Sequence, residues 1–126
     1  MKSYFYGALA LVFSLGSHAK SPLNTQSQAE IEHLLSFVQT TSCSYERNGK
    51  IHTGKEALEH IKKKYAHFAD DIHSTEDFIT YSATKSKLSG KYYLVHCEQQ
   101  APIKSQDWLH QELAKFRAQQ HENKKG

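Results

Sequence analysis

The sequence predicts an α+β domain, about four helices packed on a small three-stranded antiparallel sheet with one disulfide. Three observations carry this. Apolar residues recur at helical spacing in four separate segments. Asn48-Gly49 lies between two short strand-like runs. Cys43 and Cys97 fall at opposite ends of two such runs. A period near 3.6 marks an amphipathic helix, and Asn-Gly supplies the two positive-φ residues of a type I′ hairpin turn.

The chain opens on the features of an export signal. Lys2 is a charged n-region, Tyr4 to Leu15 an apolar h-region, and Ser17-His18-Ala19 ends in small residues at the −3 and −1 positions. The apolar run is shorter than the ~20 residues of a membrane span. Residues 1–19 are therefore expected to be a signal peptide cleaved after Ala19, and the mature chain to be soluble, exported and without a membrane span. Residues 20–27, polar and carrying Pro22, read as a disordered leader. The single α+β domain is then 28–118, and 119–126 a disordered polar tail.

Within the domain, Ile31, Leu34, Leu35 and Val38 make the first helix, about 27–40. Ser42 to Arg47 is strand-like, with Cys43, Tyr45 and Arg47 on one face, and Lys50 to His52 is its return strand. Thr53-Gly54-Lys55-Glu56 is a capping box, in which the Thr53 hydroxyl accepts from the Glu56 amide. It opens a helix that carries Leu58, Ile61, Tyr65 and Phe68 on one stripe and ends near Phe68. Ser74-Thr75-Glu76-Asp77 caps a third helix with Phe78, Ile79 and Ala83. Lys91 to Cys97, aromatic and β-branched, is a strand. After Pro102, Ser105 is expected to cap a last helix with Trp108, Leu109, Leu113 and Phe116 inward and Asp107 in its first turn.

Removing 19 of the 126 residues leaves about 107, enough for one core that buries roughly 65% of the unfolded surface. Loss of Lys2 leaves 15 basic against 13 acidic residues. That weak positive charge calls for no nucleic acid. Two cysteines in an exported chain default to a disulfide, here Cys43–Cys97, which would stabilise by ~4 kcal/mol in the chain-entropy model. A start facing an end requires antiparallel neighbours. The expected strand order is thus 50–52, 42–47, 91–97, with Tyr45 opposite Val95, Arg47 opposite Tyr93 and His52 beside Tyr45. In this layout Ile51 shares the outer face with Glu46, which its apolar character does not explain.

R-N-G at 47–49, E-A-x-x-H-I at 56–61, T-E-D-F-I at 75–79 and S-G-K-Y-Y-L-V at 89–95 resemble the YfeK-like family of small exported Gram-negative proteins, a domain of unknown function. The resemblance covers nearly the whole chain and implies a periplasmic location. It carries no activity, substrate or catalytic residue.

Candidate chemistry is sparse. His52, Glu56 and His60 are the nearest approach to a metal site, but zinc wants three or four convergent ligands and Glu56 is claimed by the cap. Tyr81, Ser82 and Lys85 match Y-x-x-x-K and S-x-x-K without the folds those motifs need. His96 and Cys97 are strand neighbours and point to opposite faces. Lys62-Lys63-Lys64 reads as the solvated side of a helix, with a patch for anionic envelope polymers as the alternative. The run Lys85 to Lys91 combines hydroxyls, Gly90 and three lysines before a strand, and exposed amides with cations suit an anion. Lys91 is expected on the inward face near Arg47, with Glu56 or Asp77 as its internal partner. The reading is a periplasmic, non-enzymatic binding or accessory module whose cationic site is Arg47, His60, Ser86, Ser89 and Lys91, with no cofactor. Its partner would be an anionic peptide, glycan or envelope protein. The alternative is a small metal-dependent or hydrolytic enzyme using His52, Glu56 and His60.

Overall fold

The computed structural model describes residues 23–125 together with Ser3 and Gly7. The expected signal peptide, its cleavage point and the first leader residues otherwise lie outside the described residues. The elements are α1 (Thr25–Thr40), β1 (Ser44–Arg47), β2 (Lys50–His52), α2 (Gly54–His67), a 3-10 turn (Ala69–Asp71), α3 (Thr75–Ser82), β3 (Leu94–His96), β4 (Ile103–Lys104) and α4 (Ser105–Asn123). The fold is α+β, four helices against one antiparallel sheet of order β2-β1-β3-β4.

The helices begin where side chains satisfy their free amides. Asn24 accepts from Ser27 N at 2.7 Å, so α1 starts at Thr25 and takes in residues expected in the leader. Thr53 accepts from Glu56 N at 3.2 Å and Ser74 from Asp77 N at 3.0 Å. The last helix departs from expectation at both ends. Lys104, not Ser105, is its cap residue. Ser105 is fully buried and its hydroxyl lies 3.1 Å from that of buried Tyr45. A phenol inside the core needs a polar partner, and Ser105 is the one within reach. At the other end the helix continues to Asn123, through residues expected in the tail.

The sheet keeps the expected register at Tyr45, but the β1–β3 ladder ends at Glu46–Leu94, so Arg47 is not paired with Tyr93 as expected. Tyr45 pairs with Val95 and with His52, and Glu46 with Ile51 on the outer face, where Ile51 is 59% exposed. The Asn48-Gly49 turn has φ of 52° and 78°, both left-handed, as type I′ requires. One step beyond the β1–β3 ladder, Cys43 and Cys97 form the disulfide with a Cα separation of 4.5 Å, the spacing of a non-hydrogen-bonded antiparallel pair. Two features differ from expectation. Ile103–Lys104 adds a fourth strand, with Val95 opposite Ile103. And β3 begins only at Leu94, because Tyr93 N donates to Thr84 O and Tyr93 O accepts from Ser105 N.

The core lies between the inner sheet face and the helices. Leu34, Val38, Ile61, Phe78, Ile79, Val95 and Leu109 are essentially inaccessible to solvent. Each such side chain contributes about 1.5–3 kcal/mol of transfer free energy. Helices α1 and α2 meet backbone to backbone at Gly54, where an added Cβ would lie 2.3 Å from the Val38 carbonyl oxygen. Close approach there aims the inner side of α2, and with it His60 and Lys64, at the end of the β1–β2 hairpin.

Candidate functional site

Three elements converge at that end: the β1–β2 hairpin, the second half of α2, and the loop 85–91. The hairpin and loop are joined by side chains. Asn48 Nδ2 donates to Ser86 Oγ at 3.4 Å, and Ser89 Oγ donates to Asn48 Oδ1 at 2.5 Å. Ser86 N donates to Lys91 O and Gly90 N to Ser86 O, both at 2.9 Å, and close the loop on itself. Gly90 takes φ 70°, a left-handed turn conformation that a side chain would strain.

Between these elements runs an open groove of roughly 660 Å³. Arg47, Lys50, Lys63, Lys64 and Lys87 line it, with His60 and His67, and no Asp or Glu is among its lining residues. None of these five cations makes a salt bridge among the described residues. The carboxylate pairs lie elsewhere, on His33, His52, His96 and Arg117.

The polar groups at the groove floor form a directed chain. An Arg47 guanidinium N–H donates to His60 Nδ1. Because arginine is never an acceptor, His60 Nδ1 is unprotonated and its Nε2–H donates to the Tyr93 hydroxyl oxygen, 3.0 Å away. Lys64 Nζ donates to the same oxygen at 3.2 Å and to Lys85 O at 2.7 Å. Tyr93 thus receives two hydrogen bonds, and its own proton has no acceptor among the described residues. Desolvation, then the charges of Arg47 and Lys64, hold His60 down to a pKa of about 4. Desolvation and the nearby Lys87 and Arg47 charges also lower the Lys64 ammonium. Burial is the largest cause of both shifts, and the neighbouring cations add to it in the same direction.

Behind the chain lies a small pocket of about 30 Å³ whose walls include Tyr45, His52, Glu56 and His60. Glu56 Oε2 is 3.1 Å from His52 Nδ1, and this contact, more than the Thr53 cap, depresses the Glu56 carboxyl. His52 Nε2 is buried without a hydrogen-bond partner among the described residues. His52, Glu56 and His60 do not assemble as metal ligands. No group of three or more His, Cys, Asp or Glu among the described residues is placed to hold an ion, and both His60 nitrogens face Arg47 and Tyr93.

The structure therefore brings Arg47, His60 and Ser86 to one groove, and leaves Ser89 and Lys91 outside its lining. Lys91 is exposed and does not lie inward near Arg47, because residues 91–93 leave the β1 ladder to pair with Thr84 to Ser86. Neither expected partner reaches it. Glu56 is held by His52 and Thr53, and Asp77 accepts from His73 N. Among the groove residues left out of the expected site are Asn48, Lys64 and Tyr93, while Lys87 belongs to the run already read as suited to an anion. Lys64 had a readable signal, since it stands three residues after Ile61 and four after His60, on the inner side of α2. Among the described residues no helix is long and apolar enough to cross a membrane.

Comparison with known proteins places the chain in a family and adds no activity. The chain is 30% identical over 94 residues to the uncharacterized protein YfeK of Salmonella typhimurium strain LT2, covering 74% of this chain and 77% of that one. No solved structure matches. Residues 25–117, from the first turn of α1 to Arg117 and so including the whole groove, match the family of unknown function DUF5329, and the chain belongs to that family.

Proposed function

We propose that the protein is an exported periplasmic binding or accessory module, without an enzymatic role, whose groove holds an anionic ligand. Candidates are an acidic peptide, an anionic glycan or the acidic face of an envelope protein. One observation carries the reading: five cationic side chains line a groove with no Asp or Glu among its described lining residues. Clustered like charges oppose folding unless something neutralises them, and the missing counter-charge is the ligand. Its oxygens would accept from the Tyr93 hydroxyl, Lys64 and Lys87. The Cys43–Cys97 bond and the signal-like first 19 residues favour export.

The test is a titration of 15N-labelled protein with inorganic phosphate, a poly-glutamate peptide and an acidic polysaccharide, each at constant ionic strength. Saturable amide shifts at Asn48, Ser86 and Lys87, abolished by Lys64→Gln, are expected. Shifts that never saturate, or that spread equally over lysines outside the groove, would refute the reading.

A hydrolytic reading has one observation in its favour, the Glu56–His52 pair with its unpartnered Nε2. Such a pair can act as a general base. It faces a space of about 30 Å³, which admits little more than a water molecule, so the binding reading stands ahead of it.

A further inference from the structure

The groove is not only cationic. Leu88 lines it and is 100% exposed, and Phe68, also in its wall, packs against Tyr81 with ring centroids 5.4 Å apart. Lys87 Nζ sits 4.9 Å from the Phe68 ring centroid and joins this apolar ledge to the cations. A lone exposed leucine needs no explanation on an ordinary surface. Leu88 differs in its setting. It occupies the tip of a loop closed by its own backbone bonds and tied through Asn48 to the hairpin. Lys85, Lys87 and Lys91 surround it in sequence.

We infer that this face docks on an anionic lipid bilayer, with lipid phosphates in the groove at Lys64, Lys87 and Tyr93 and Leu88 set into the headgroup–acyl boundary. The inference rests on the anion-binding reading above and names the source of the anion. An acidic peptide would account for the cations and leave Leu88 without a partner. A lipid accounts for both, because its phosphate and its acyl chain are adjacent as the cations and the leucine are. The electrostatic part is worth roughly fivefold in affinity per basic residue at an anionic surface. The buried leucine side chain adds roughly tenfold. Since the loop is already ordered, little conformational entropy is lost on docking.

The test is flotation of the full chain with unilamellar vesicles of phosphatidylcholine, alone or mixed equally with phosphatidylglycerol, in about 0.1 M salt, where charges beyond ~10 Å are screened. Binding to the mixed vesicles and not to the neutral ones is expected. Leu88→Ser should weaken it roughly tenfold and Lys87→Gln roughly fivefold, with unchanged thermal unfolding because both side chains are exposed. Leu88→Trp emission should shift to the blue on the mixed vesicles alone. Equal binding to both vesicle types, or no loss with Leu88→Ser, would overturn the inference. Saturable binding of inorganic phosphate without vesicle binding would overturn it and leave the anion-binding reading standing, whereas failure of both probes would remove both.

Discussion

Two arginines in this small fold meet opposite surroundings. Arg117 of α4 is clamped by carboxylates. Its Nε lies 2.8 Å from Glu30 Oε2 and its Nη2 2.7 Å from Glu76 Oε1. Glu30 is 2% exposed and accepts a further bond from Thr75 Oγ1 at 2.6 Å. Those bonds, the Arg117 guanidinium first, hold its carboxyl down to a pKa of about 2. Arg47 at the other end faces a histidine, and among the described residues no acid pairs with it or its cationic neighbours. The first cluster is complete within the chain and ties α1, α3 and α4 together. On the proposed reading, the second is completed by an anion from outside. The difference is between charge neutralised inside the fold and charge that has no acidic partner among the described residues.

The sharpest way to break this contrast is to remove each cluster's key cation. Arg117→Ala leaves buried Glu30 uncompensated and is expected to lower unfolding free energy by about 3 kcal/mol. Lys64→Met keeps the aliphatic stem and deletes one of several repelling charges. Because it also removes the hydrogen bonds to Lys85 O and the Tyr93 hydroxyl, it is expected to lower stability by about 1 kcal/mol, well short of Arg117→Ala, while abolishing anion binding. Chemical denaturation of the two variants checks both. A large loss with Lys64→Met would make that lysine structural and erase the distinction.

The pH dependence sharpens the comparison further, because the two clusters act in different windows. His60 has a folded pKa of about 4 against 6.5 ordinarily. Below 6.5 the unfolded chain takes up a proton that the folded chain refuses, so stability falls as pH drops from 6.5 toward 4. Glu30 is lowered from 4.5 to about 2, so its contribution is complete above 4.5 and is lost as pH falls toward 2. Stability profiles should show the upper slope removed by His60→Gln and the lower one by Glu30→Gln. Saturating phosphate should flatten the upper slope alone, since an anion favours protonated His60.

Much of this layout was legible in the residues. Asn48-Gly49 allows few conformations, the Thr53 and Ser74 caps fix helix starts, and a disulfide between a strand start and a strand end forces an antiparallel register that the structure reproduces at Tyr45 and Val95. These are short-range or covalent constraints. The boundaries that sequence missed depend on distant partners. Ser105 turns from the helix end to Tyr45, 60 positions away. The strand expected from Lys91 starts three residues later because Tyr93 bonds to Thr84 and Ser105. The site was half visible for the same reason. Arg47 and His60 stood out as polar groups on otherwise inward faces. Lys64 was hidden in a lysine triplet whose members 62 and 63 are exposed, and Tyr93 read as one more strand aromatic.

The central claim is that the groove's positive charge is unbalanced until an anion arrives. The most direct measurement is the titration of the His60 ring by NMR, without and with inorganic phosphate. The account expects a pKa of about 4 in the free protein and a clear rise when phosphate is bound. A value near the ordinary 6.5 that phosphate leaves unmoved would mean that the field does not exist, and the groove would lose its claim to a ligand.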